Sequence, residues 1–171
     1  MISKPKSKTK KTTNKSTKKR RANSSIDKQK HIKDNGAYFK NDYRTGEFKS
    51  MKNQSIMIYR SSFEYAYMCK LEKDTNCLKY IAEPFKIRYV DSDGAIKNYI
   101  PDLLILWKDG STELVEIKPK AMMKAGNVQR KAKHALSWLK NNHPETTFRF
   151  ITEDQIFSSN KEYQSVLKRL K

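Results

Sequence analysis

Leu103 to Trp107 is an unbroken apolar run that directly follows Pro101-Asp102. It lacks the alternation of a half-exposed strand, so it is expected to be a strand covered on both faces. Such a strand needs a layer of structure on each side, which points to an α/β architecture. The flanking sequence agrees. Lys108-Asp109-Gly110 marks a turn, and Glu113 to Lys118 is a second strand, ended by Pro119. Upstream, Ser61 or Ser62 caps a helix with Phe63, Ala66, Tyr67 and Leu71 at helical spacing, ended by Asp74-Thr75-Asn76. Leu78 to Ala82 is a short strand, and Phe85 to Val90 forms a hairpin with Ala95 to Tyr99. Downstream, Val128, Ala132, Ala135, Leu136 and Leu139 mark the inner face of a helix, Thr147 to Ile151 a strand, and Tyr163, Val166, Leu167 and Leu170 a closing helix. The order αβββαβα predicts a mixed sheet flanked by helices.

The 171 residues suffice for one domain of ordinary size plus a tail. Met1 to Arg21 holds ten Lys/Arg and no acid, about half of the net charge of +19. With Met1 and Ile2 its only large apolar residues, this segment cannot offset chain entropy by burial. Residues 1–35 are therefore expected to be a disordered basic tail. Lys4, Lys6, Lys8, Lys10, Lys11, Lys18, Lys19, Arg20 and Arg21 are its candidate contacts to DNA, the polyanion that such a charge favours. Residues 36–54 place Tyr38, Phe39, Tyr43 and Phe48 among charges, as in an arm that packs on the domain without regular structure. The domain proper is expected over 55–171. Two cysteines and three scattered histidines exclude a disulfide framework and a zinc site. No apolar run approaches the roughly 20 residues that span a bilayer, and no signal peptide heads the chain, so a cytosolic protein is expected.

Charge in the middle of a covered sheet is costly unless it is paired or ligated. Here Asp102 opens the apolar strand, while Glu116 and Lys118 share one face of the next and leave Val115 and Ile117 to the other. The plain alternative is a buried lysine–carboxylate bridge. Turn chemistry bears on the choice. A two-residue turn at Asp109-Gly110 would pair Lys108 with Ser111 and set Asp102 opposite Ile117, on the wrong face. A three-residue loop Lys108-Asp109-Gly110, a type I turn followed by a left-handed glycine, pairs Trp107 with Ser111 and sets Asp102 across from Glu116. Cβ atoms so paired lie about 4.5–5.5 Å apart, where two carboxylates repel unless a cation sits between them. A hard divalent cation with oxygen ligands, Mg²⁺, fits that need.

Pro101-Asp102, thirteen further residues and then Glu116-Ile117-Lys118, with Glu64 on the preceding helix, resemble the PD-(D/E)xK nuclease signature. Tyr59-Arg60-Ser61-Ser62-Phe63-Glu64 narrows the resemblance to two branches, the head-completion nucleases of tailed phages and the endonuclease subunit of heteromeric transposases. The resemblance implies a restriction-endonuclease-like αβββαβ core and hydrolysis of DNA phosphodiesters. It further implies Mg²⁺, with Mn²⁺ as substitute, on Asp102, Glu116 and the Ile117 carbonyl. Glu64 and Lys118 complete the catalytic set, and Gln129 is a possible accessory. Ser61-x-x-Glu64 is equally a capping box.

Lys120, Lys124 and Arg130 are further candidate DNA contacts, although a solvated helix face would look the same. With one closing helix before Lys171, the expectation is a phage head-completion nuclease in the host cytoplasm or the virion. Its partners would be DNA, phage head or neck proteins and a possible second copy. The alternatives are a transposase-type endonuclease subunit and a non-catalytic DNA-binding neck protein.

Overall fold

In the computed structural model, residues 39–170 are described. The basic tail and its nine candidate DNA contacts lie outside these residues. In chain order the elements are β1 (Gly46–Ser50), β2 (Ser55–Tyr59), α1 (Ser62–Lys73), β3 (Cys77–Ala82), β4 (Ile87–Val90), β5 (Ile96–Tyr99), β6 (Leu103–Trp107) and β7 (Thr112–Ile117). A single 3₁₀ turn, Lys120–Met122, then leads to α2 (Gly126–Asn142), β8 (Thr146–Ile151), α3 (Glu153–Ile156) and α4 (Asn160–Arg169).

The apolar run does become an inner strand: the four-stranded sheet has the order β3-β6-β7-β8. β6 lies antiparallel to β3 and β7, whereas β8 runs parallel to β7 through α2, so the sheet is mixed. Alternation divides its side chains between two layers. Leu103, Ile105, Val115 and Ile117 pack with Phe63, Met68 and Leu71 of α1, Ile156 of α3 and Tyr163 of α4. Leu114 meets Ala135 and Leu139 of α2 together with Ile87, Tyr89 and Tyr99 from the β4–β5 hairpin. That hairpin is a separate two-stranded ribbon rather than part of the main sheet.

The β6–β7 turn takes the three-residue form. Gly110 has φ +85°, its N–H donates to the Trp107 carbonyl at 3.1 Å, and the Trp107 N–H donates to the Ser111 carbonyl at 2.9 Å. Leu103 therefore pairs with Val115, which carries Asp102 toward Glu116.

Three expectations change. The arm over 36–54 contains a strand: Gly46–Ser50 pairs with β2, and a Cβ at Gly46 would lie 2.2 Å from the Tyr59 hydroxyl oxygen. The folded part thus begins before residue 55. The five-residue strand carries one large apolar residue, Phe48, too few to announce its period, although Phe48 is buried edge-on to Tyr65. The packing of the arm holds for Phe39, buried against Phe157 and Tyr163, but Tyr43 is exposed. Leu136 is 53 % exposed rather than on the inner face of α2, because Ala135 and Leu139 take the buried positions beside it.

Candidate active site

The site forms where β6 begins and β7 ends. The register fixed by Gly110 brings Asp102 beside β7, and its Oδ2 accepts the Ile117 N–H at 2.6 Å. In an extended strand the N–H and C=O of one residue point to the same side, so the Ile117 carbonyl also lies on the Asp102 side. Lys118 closes the cluster. Its Nζ is 2.9 Å from Glu116 Oε1 and 3.7 Å from Asp102 Oδ2. The other Glu116 oxygen, Oε2, accepts the Tyr99 hydroxyl at 2.7 Å. Glu116 is 4 % exposed and Tyr99 2 %.

Burial shapes the electrostatics. It pushes the Asp102 carboxyl up to about 8, helped by the negative charge of Glu116 and opposed by Lys118. For Lys118, burial works against the charged form, but the two carboxylates outweigh it and its pKa rises. Tyr99 is raised by burial and by Glu116, so it remains a hydrogen-bond donor.

Glu64 faces this cluster from the start of α1. Burial pushes its carboxyl up, and Lys118 pulls it back. It also serves the helix. Its Oε2 accepts the Arg60 N–H at 2.7 Å and its Oε1 the Ser61 hydroxyl at 2.9 Å, while Ser61 Oγ accepts the Glu64 N–H at 3.3 Å. This is a variant capping box that reaches Arg60 instead of Ser61. One carboxylate thus caps the helix and adds negative potential to Asp102.

Gln129 is exposed and its amide donates to the Met123 carbonyl. Lys120 pairs with Asp154 at 2.6 Å and Arg130 pairs with Asp91, which ties both to acids distant in sequence. Lys124 is exposed and has no ion pair among the described residues. Sequence reasoning missed Tyr99. Its signal was a large aromatic at the inner end of a strand, immediately before Ile100-Pro101-Asp102. Lys131 Nζ stands 5.7 Å from the centre of the Tyr99 ring.

The donor set suits a hard cation. Two carboxylates and a backbone carbonyl meet on adjacent strands, and burial together with the Glu116 charge raises Asp102. Among the described residues no group of three His, Cys, Asp or Glu side chains gathers to hold a metal. Waters would have to complete the coordination.

Residues 74–153 match a family model described as TnsA-like endonuclease N terminal. The matched span contains Asp102, Glu116 and Lys118 and begins after Glu64. It supports the resemblance to PD-(D/E)xK endonucleases and to the transposase endonuclease subunit. No curated protein matches the chain significantly. Among the described residues, no helix is long and apolar enough to cross a membrane.

Proposed function

We propose that the chain is a Mg²⁺-dependent DNA endonuclease. The observation that carries this reading is the meeting of Asp102, Glu116 and Lys118 at one strand end, inside a span that matches an endonuclease family. Asp102, Glu116 and the Ile117 carbonyl would hold Mg²⁺, or Mn²⁺ in its place. When bound, such an ion polarises the phosphodiester and lowers the pKa of a water bound to it. Lys118 orients the attacking water and steadies the negative charge that develops on the phosphate oxygens. Tyr99 fixes the Glu116 carboxylate through its hydroxyl. Glu64 adds a carboxylate beside Asp102 that can orient water while it caps α1.

Two settings fit this chemistry. The family match favours an endonuclease subunit of a heteromeric transposase. The other is phage head completion, in which the enzyme trims DNA during packaging in the host cytoplasm, together with head or neck proteins or as a homodimer. Both share the resemblance at Tyr59 to Glu64. Recovery of the chain from purified phage particles would select the second.

The test is incubation of the full chain with supercoiled, linear and branched DNA, with and without Mg²⁺. Cleavage that needs the metal is expected. Cleavage unchanged by chelation, or none with any substrate in Mg²⁺ or Mn²⁺, would overturn the reading.

A further inference from the structure

The β4–β5 ribbon has two dissimilar faces. Ile87, Tyr89 and Tyr99 point inward and are buried with Leu114, Ala135 and Leu139. Tyr89 also meets the His134 ring at 5.2 Å, and the Asp91 carboxylate pairs with Arg130 of α2. These contacts hold the ribbon along its inner face and at its tip. The outer face is exposed. On it Arg88 stands directly opposite Asn98, and Val90 opposite Ile96.

Neither the Arg88 nor the Asn98 side chain makes a hydrogen bond or ion pair among the described residues. Val90 and Ile96 are 53 % and 65 % exposed, an apolar pair left in water on a strand face. Lys86 continues the row, and no carboxylate stands on this face of the two strands. The combination is a cation, an amide and two branched apolar groups on a pre-ordered two-stranded ribbon. The major groove of DNA is wide enough to admit such a ribbon, and its base edges offer acceptors for Arg, paired donor and acceptor sites for Asn, and thymine methyls for apolar contact.

We propose that the outer face of the β4–β5 ribbon enters the major groove of duplex DNA, with Arg88 and Asn98 on base edges and Val90 and Ile96 against the groove floor. This rests on the nuclease reading for its choice of DNA as partner. The connection to that site is direct, because the ribbon ends at Tyr99, which donates to Glu116. From Tyr99 to Ile96 the strand rises about 10 Å. The ribbon therefore meets the groove next to the phosphate at the acids.

The test uses the full chain with the metal chelated, bound to duplexes that carry 5-bromodeoxyuridine, whose bromine lies in the major groove. Ultraviolet crosslinks are expected within residues 86–99. By anisotropy, Arg88→Ala and Asn98→Ala each weaken duplex binding about tenfold, whereas Lys161→Ala on α4 leaves it unchanged. Crosslinks only elsewhere, or variants that bind like the wild type, overturn the proposal. If such a protein still cleaves DNA with Mg²⁺, the nuclease reading survives. Ribbon crosslinks without cleavage sink the nuclease reading alone, and a chain that binds no DNA overturns both.

Discussion

Helix α1 carries a glutamate near each end, and the two live in opposite surroundings. Glu72 accepts the Ser50 and Tyr80 hydroxyls together with the Met51 and Lys52 N–H groups, the last three at 2.6, 3.1 and 3.3 Å. Burial works against its charge, but these donors prevail and hold the carboxyl below its usual value. Glu64, at the other end, faces Asp102, Glu116 and Lys118, where burial pushes both its own carboxyl and that of Asp102 up. The difference separates two uses of a carboxylate. Glu72 is satisfied by its own protein and ties the β1–β2 turn to β3. Asp102 has no such set of donors: burial and the Glu116 charge raise it, and Lys118 and the Ile117 N–H offset them only in part.

Substitution at the two centres should give opposite results. Asp102→Asn is expected to lower metal-dependent cleavage by at least about 10²-fold, with folding intact, measured as plasmid nicking rate and thermal midpoint. Glu72→Gln should leave cleavage near wild type. If Glu72→Gln silences the enzyme as strongly, the distinction fails.

Stability against pH sharpens the contrast. For Asp102, raised to about 8, the stabilisation from its bound proton is fully present below its unfolded value of 3.8 and is lost as pH rises through about 8. For Glu72 the sign reverses. Its contribution is present above 4.5 and is lost as pH falls through its lowered value. Denaturant titrations of the metal-free chain should show a loss of a few kcal/mol between about pH 4 and 8, and Asp102→Asn should remove that slope.

Much of this was legible because it is local. The apolar run announced an inner strand, and Gly110 set the register that brings Asp102 to Glu116. Ser61-x-x-Glu64 announced a cap. What escaped depends on partners far along the chain. Asp91 and Asp154 occupy Arg130 and Lys120, and Tyr99 finds Glu116 only when the ribbon folds back on α2. Strand β1 was hidden because Gly46–Ser50 needs β2 beside it before its alternation means anything.

Smaller effects test the edges of each centre. Glu72→Gln replaces an acceptor of four hydrogen bonds by an amide that accepts on one oxygen only, so it should destabilise the chain by about 2 kcal/mol, read from chemical denaturation. Tyr99→Phe removes the one hydroxyl on Glu116 Oε2 and should slow cleavage about tenfold, with a shifted pH–rate profile. A wild-type rate and profile would show that Tyr99 merely fills the core.

The most direct measurement is a calorimetric titration of the metal-free chain with Mn²⁺ and Mg²⁺ at pH 7 in buffers of different ionisation heat. The wild type should bind the ion with proton release, because Asp102 is partly protonated before binding. Asp102→Asn should lose both the binding and the released proton, whereas Glu72→Gln should keep them. Binding untouched by Asp102→Asn, or abolished by Glu72→Gln, would contradict the assignment of the metal to the Asp102–Glu116 pair.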